Sequence, residues 1–198
     1  VTNVELCASY AAIANNGNYI KPIYYTKILD HNGNVLIENT AAERSVIKES
    51  TAFLLTSAME DVVNGAGGTG GSARLSNMPV AAKTGTSQES NDLWIAAYTP
   101  YYTASVWGGY DESKTMSNLS QSWHQKLWKN IMERIQETKS LAYKDFEIPS
   151  SVVQKTICTR TGLLATGSCP SLTEYFAKDN APTQSCSCLL YTSPSPRD

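Results

Sequence analysis

Met78-Pro79-Val80-Ala81-Ala82-Lys83-Thr84-Gly85-Thr86-Ser87 decides how this chain is read. An apolar run ends in a lysine, small hydroxyls and a glycine, the residue types an acyl-transfer site on a sheet edge needs. On an edge strand, Gly85 lets a substrate backbone approach closely. Thr86 can present its N–H to a developing oxyanion. Lys83 supplies positive potential, and the hydroxyls of Thr84 and Thr86 can bind a terminal carboxylate. An extended peptide can dock beside such a strand by main-chain hydrogen bonds. The candidate catalytic residues are Lys83 and Thr86; the candidate substrate-binding residues are Thr84, Gly85, Thr86 and Ser87. An ordinary strand ending in a polar turn is the competing reading.

Outward from this stretch, Val80 to Thr86, Leu93 to Tyr98 and Thr103 to Tyr110 read as three successive strands joined by short polar turns, which favours an antiparallel meander. Val4 to Ala14 has helical periodicity, with Val4, Cys7, Ala8, Ala11 and Ala14 on one face. Asn15-Asn16-Gly17 ends it, Gly17 suiting a left-handed cap. Ile23 to Leu29 and Val35 to Ile37 flank Asp30-His31-Asn32-Gly33-Asn34, whose Asn-Gly pair signals a hairpin with His31 exposed in the turn. Glu49 to Val63 reads as a second helix, with Ala52, Leu55, Met59, Val62 and Val63 inward. A third runs from about Ser120 to Glu137 on the stripe Trp123, Leu127, Ile131, Ile135, leaving His124 solvated. The fold class is α+β: an antiparallel sheet flanked by helices, with a Cys-bearing C-terminal extension.

At 198 residues the chain can bury one sizeable core, or one core plus an appendage. Charged residues make up 17% and the formal net charge is −2; without a basic stripe, nucleic acid is not an expected partner. No run of eighteen apolar residues suggests a membrane span. Thr2-Asn3-Val4-Glu5 forms a capping-box pattern at the very start of the sequence. A chain that opens on Val1 at a helix cap reads as a fragment of a longer protein.

Cys7 reads as a small core residue of the first helix. Cys158, Cys169, Cys186 and Cys188 crowd the end. They suggest disulfides in an oxidising compartment, with three possible pairings. Free thiols and zinc are the alternatives, zinc weighed down by the lack of paired C-x-x-C knuckles and of a nearby histidine. No metal or cofactor is therefore expected. Composition divides the chain into 1–139, a cysteine-bearing extension over 140–188, and a tail over 189–198. That tail, from Leu189, resembles translated read-through of a sequencing adapter, with a disordered native tail as the alternative.

Two further motif matches fail on context. Gly65-Ala66-Gly67-Gly68-Thr69-Gly70 satisfies G-x-G-x-x-G but follows a helix, whereas a dinucleotide site needs a strand before it. Ser45-Val46-Ile47-Lys48 satisfies S-x-x-K but lies in a polar stretch where nothing would desolvate the lysine. No S-x-N triplet occurs.

Taken together, several segments resemble bifunctional (class A) penicillin-binding proteins. Val1 to Gly17 resembles the helix before their hairpin, and Gly68-Thr69-Gly70-Gly71-Ser72-Ala73 their Gly-Thr-Gly loop. Lys83-Thr84-Gly85-Thr86-Ser87, Asp92 to Pro100 and Val106 to Asp111 look like their sheet strands. Cys158-Thr159, Cys169-Pro170, Glu174-Tyr175-Phe176 and Cys186 are similar to their C-terminal extension. The resemblance covers residues 1–188. It implies the C-terminal part of a serine D,D-transpeptidase domain, a partial β-lactamase-like fold, acting on peptidoglycan stem peptides ending in D-Ala-D-Ala and acylated by β-lactams. It implies electrostatic support and proton relay for Lys83, carboxylate binding for Thr84, and oxyanion-hole and carboxylate roles for Thr86. Ala82 stands where family members often carry glycine. The nucleophile, the S-x-N motif and a membrane anchor would lie upstream of Val1, on the extracytoplasmic face of the plasma membrane, so the chain alone is expected to be inactive. A serine β-lactamase or D,D-carboxypeptidase fragment, or a non-catalytic extracellular binding domain, are the alternatives.

Overall fold

The computed structural model describes residues 1–116, 119–167 and 169–187. Cys188 and the 189–198 tail lie outside the described residues. Helix α1 (Asn3–Ala14) starts at the expected cap: the Glu5 N–H donates to the Thr2 hydroxyl at 3.3 Å, and the Glu5 carboxylate accepts from the Thr2 N–H at 2.8 Å. Gly17 closes the helix at φ +87°. The chain then forms β1 (Asn18–Ile20), the hairpin of β2 (Lys27–Leu29) and β3 (Val35–Glu38), and β4 (Glu43–Ser45), which returns antiparallel to β1. The hairpin turn is held by the Asp30 carboxylate, which accepts from the N–H groups of Asn32 and Asn34, each at 2.8 Å. Its first strand is shorter than the sequence suggests. The last cross-link is the Asn39 N–H on the Thr26 carbonyl, and residues 23–25 stay outside the ladder. Ser45 ends β4 while Lys48 is the N-cap of the next helix, so the two do not share a helical face.

Helix α2 (Glu49–Asn64) buries Ala52, Phe53, Thr56, Met59 and Val63. Leu55, expected inward, is 42% exposed, because the inward face is taken by Phe53 and Thr56. The glycine-rich loop wraps the helix end. The Gly70 N–H donates to the Val62 carbonyl at 2.8 Å, and a Cβ on Gly68 would fall 2.5 Å from that same oxygen. Close backbone packing, with no strand before it, accounts for these glycines.

Strands β5 (Ala81–Thr86), β6 (Asp92–Tyr98) and β7 (Thr103–Gly109) form the expected antiparallel meander, in the order β5-β6-β7. Register pairs Ala82 with Ala97, Thr84 with Ile95 and Gly85 with Trp94. One sheet face carries Ala82, Ile95, Ala97, Ala104 and Val106 into a core with Val63, Trp128 and Met132. The opposite face places Ala81 and Tyr98 against Met59, Tyr10 and Ile13, so α1 and α2 pack there. Tyr98 is fully buried, and its hydroxyl lies 2.7 Å from that of Thr56.

Helix α3 (Trp123–Thr138) forms where expected but rotated from the expected stripe. Leu127 and Ile131 are 42% and 43% exposed, whereas Trp128 and Met132 are buried. The helix is apolar on two adjacent stripes. The sheet selects Trp128, whose bulk fills the space over β7 and whose indole N–H donates to the Ala104 carbonyl at 3.1 Å. His124 shares this buried face instead of facing solvent, and burial holds its pKa below the ordinary value. Trp123 lies over Gly108, where a Cβ would sit 2.0 Å from its ring. Cys7 is half-buried, its thiol 3.7 Å from the Thr103 carbonyl.

The chain divides into two units, Val1–Glu147 and Ile148–Asp198. The second is built on an antiparallel pair, β8 (Val152–Cys158) and β9 (Ser171–Ala177), with Lys155 opposite Glu174 and the hydroxyls of Thr156 and Thr173 at 3.0 Å. Among the described residues, no helix is long and apolar enough to cross a membrane.

Candidate functional site

Strand β5 has one neighbour among the described residues, β6, so its other edge is unpaired. The Ser87 N–H donates to the Asp92 carbonyl at 3.1 Å. Backbone groups alternate sides along a strand. The N–H and C=O groups of Thr84 and Thr86 therefore face the unpaired edge. The Lys83 ammonium curls onto that edge and donates to the Thr84 carbonyl at 2.7 Å. Lys83 and Thr86 are exposed, while Thr84 and Gly85 are half-buried. Gly85 lies across from Trp94, where a Cβ would come within 3.3 Å of the Trp94 Cβ. Any side chain there crowds the sheet face beside Lys83.

Two sets of contacts hold this strand in place. The Thr69 and Thr84 hydroxyls share a 2.7 Å hydrogen bond, and the Gln125 side-chain amide donates to the Thr69 carbonyl at 3.0 Å. β5, the glycine loop and α3 are thus linked in series, with Thr69 in the middle. At the far end of β5, Asp92 organises the turn. Its N–H donates to the Ser87 hydroxyl at 2.8 Å, that hydroxyl donates to the Asp92 carboxylate at 3.0 Å, and the Trp107 indole donates to the same carboxylate at 3.0 Å. Trp94 and Trp107 pack with ring centroids 5.9 Å apart on the Lys83 face, and Trp107 is 40% exposed. A separate hollow lined by Ile13, Phe53, Thr56, Pro100 and Phe146 contains none of the β5 residues.

An open strand edge with a cation, two outward N–H groups and two hydroxyls has the chemistry to pair with an extended peptide, to meet an anionic terminus and to offset negative charge on a carbonyl oxygen. The family description "Penicillin binding protein transpeptidase domain" matches residues 1–133 of the chain. The chain belongs to the penicillin-binding protein transpeptidase family. A second match, to the "Penicillin-binding protein 1A, C-terminal domain", covers residues 148–189. Among curated relatives, penicillin-binding protein 1A of Clostridium tetani is 34% identical over 190 residues, covering 91% of this chain and 24% of that protein. Penicillin-binding protein 1A/1B of Bacillus subtilis is 31% identical over 202 residues, covering 92% of this chain and 22% of its own length. The chain thus spans about a quarter of the length of the curated relatives it matches. The crystal structure of penicillin-binding protein 1A from Haemophilus influenzae superposes with a TM-score of 0.80 at 21% identity, over 94% of this chain and 33% of that one, which shows the shared fold. Nothing in these matches favours a β-lactamase or a binding domain.

Lys83, Thr84, Gly85 and Thr86 lie together on one strand. Ser87 is adjacent but has its hydroxyl engaged with Asp92 in the turn. Sequence reasoning missed Thr69 and Gln125 as supports of Thr84. The Gly-Thr-Gly loop signalled the first, since a hydroxyl between glycines on a helix end is free to reach a neighbouring strand. Nothing in the sequence signalled the second.

Proposed function

We propose that this chain supplies the β5 wall of the acyl-enzyme cleft of a serine D,D-transpeptidase that cross-links peptidoglycan. The observation that carries the reading is the unpaired β5 edge, with Lys83, Thr84 and Thr86 directed along it. A stem peptide ending in D-Ala-D-Ala lies beside β5, its terminal carboxylate on the hydroxyls of Thr84 and Thr86. The attacking serine belongs to a part of the full protein outside these residues. Its hydroxyl oxygen bonds to the penultimate D-Ala carbonyl carbon and its proton passes to a basic group. The oxyanion of the tetrahedral intermediate is held by the Thr86 N–H. Collapse expels the terminal D-Ala as an amine, which takes up a proton; the amine of a second stem then attacks the ester and regenerates the serine. Lys83 supplies positive potential throughout and relays the proton. A β-lactam follows the same first step, but its leaving nitrogen stays tethered and the ester persists. The reading places the chain on the extracytoplasmic face of the bacterial plasma membrane, anchored through a segment outside these residues.

The test is covalent labelling by a fluorescent penicillin. The full protein containing this segment is expected to label, Lys83→Ala to slow labelling by about 100-fold, and the 198-residue chain alone to remain unlabelled. Labelling of the isolated chain, or an unchanged rate in Lys83→Ala, contradicts the proposal.

A further inference from the structure

We infer that Cys158, Cys169 and Cys186 form a thiolate site for a divalent ion of the zinc class within the second unit. The three sulfurs lie within 4.8 Å of one another. In a tetrahedral zinc site with Zn–S near 2.3 Å, neighbouring sulfurs stand about 3.8 Å apart, so small side-chain adjustments close the set around an ion. The linear spacing of these cysteines argued against metal because it lacks C-x-x-C knuckles. The fold answers that objection, since the ligands come from three places: the end of β8, the approach to β9, and the segment beyond β9.

The backbone holds these places firmly. The Cys158 N–H donates to the Leu163 carbonyl and the Gly162 N–H to the Cys158 carbonyl, both at 2.8 Å. The Cys186 N–H donates to the Leu164 carbonyl at 2.8 Å, and the Thr166 hydroxyl to the Cys186 carbonyl at 3.2 Å. The Cys169 N–H donates to the Thr166 carbonyl at 2.8 Å. Around the Cys158 sulfur, N–H groups of Arg160 and Thr161 and the Thr161 hydroxyl offer hydrogen bonds.

Among its described residues the unit has little other core: the buried apolar side chains are Val152, Cys158 and Cys186. Domains below about 70 residues bury little apolar surface and commonly add disulfides or a structural metal. A disulfide joins two of three clustered sulfurs and leaves a third thiol beside it. An ion takes all three, each thiol releasing its proton to solvent on binding, with the fourth position open to water or another donor. The ion then serves as the unit's structural centre.

The experiment uses the whole 198-residue chain, reduced and purified without oxygen. Zinc analysis after gel filtration is expected to find one ion per chain. Cobalt(II) titration of the metal-free chain is expected to give a thiolate-to-cobalt charge-transfer band that saturates at one equivalent. Cys7→Ser is expected to keep the band, and Cys169→Ser, at the least buried of the three positions, to weaken cobalt affinity at least tenfold while unit one keeps its helical circular dichroism. A reduced chain that gives no band overturns the inference whatever the variants do. So does mass spectrometry that finds two of the three sulfurs joined as a disulfide in the zinc-supplemented chain.

Discussion

The hydroxyls of Thr69 and Thr84 lie 2.7 Å apart, tying the glycine loop that follows α2 to the strand that bears Lys83. A single hydrogen bond of this kind is worth about 0.5–1.5 kcal/mol, a factor of roughly 2 to 10 if it is felt only when substrate docks. In the full protein, Thr69→Val is expected to slow penicillin acylation within that range, and Thr69→Ser to restore it. Stopped-flow acylation of the two variants checks this. Equal loss in both would mean that the methyl group matters and the hydroxyl does not.

The face that α3 turns to the sheet is tested by a pair of truncations. Trp128→Ala is expected to destabilise the chain by about 3–5 kcal/mol, the usual cost of emptying an aromatic site in a core. Leu127→Ala, half-exposed on the neighbouring stripe, is expected to cost about 1 kcal/mol or less. Urea midpoints measured together decide it, and a larger effect for Leu127 would contradict the packing described.

Much of this architecture was legible because local chemistry agreed with the fold. Thr2 and Glu5 cap α1 as their spacing implies, Asn32-Gly33 turns the hairpin, and the three alternating runs form the meander. The errors arose where sequence offers two equivalent answers. On α3, two apolar stripes lie side by side, and only the partner surface over β7 selects Trp128 over Leu127 and draws His124 inside. At the candidate site, Lys83 through Thr86 were legible because the motif is contiguous. Gln125 was not, because its contact with Thr69 joins elements 56 residues apart. The cysteines carried a third kind of ambiguity: linear spacing says nothing of where a loop returns.

Two glycines at similar backbone angles separate conformational from steric cost. Gly17 has φ +87° and a Cβ there would lie 2.1 Å from the Ile47 carbonyl oxygen, whereas Gly33 has φ +84° with nothing within 4 Å. Gly33→Ala is expected to cost about 1–2 kcal/mol, the left-handed penalty alone. Gly17→Ala is expected to cost clearly more, since the β1–β4 junction must also move. Denaturant unfolding of both variants provides the comparison; similar values would show that the junction yields freely.

Glu60 gives the chain a pH dependence. Burial, then the neighbouring Asp145 and Asp61 carboxylates, raises its pKa from 4.5 to about 7. The folded state therefore binds this proton more tightly than the unfolded one. The associated stability is fully present below about pH 4.5 and is lost as pH rises through about 7. The urea midpoint is expected to fall across that window, and Glu60→Gln to flatten the fall. A slope unchanged in Glu60→Gln assigns the dependence to another group.

Docking of substrate along the β5 edge that β6 leaves unpaired is best checked by a crystal structure of the full protein acylated by a penicillin. We expect the acyl carbonyl oxygen within hydrogen-bond distance of the Thr86 N–H, the ligand carboxylate on the Thr84 and Thr86 hydroxyls, and Lys83 beside the esterified serine. A ligand seated away from β5, or a β5 edge occupied by another strand of the protein, would contradict the account.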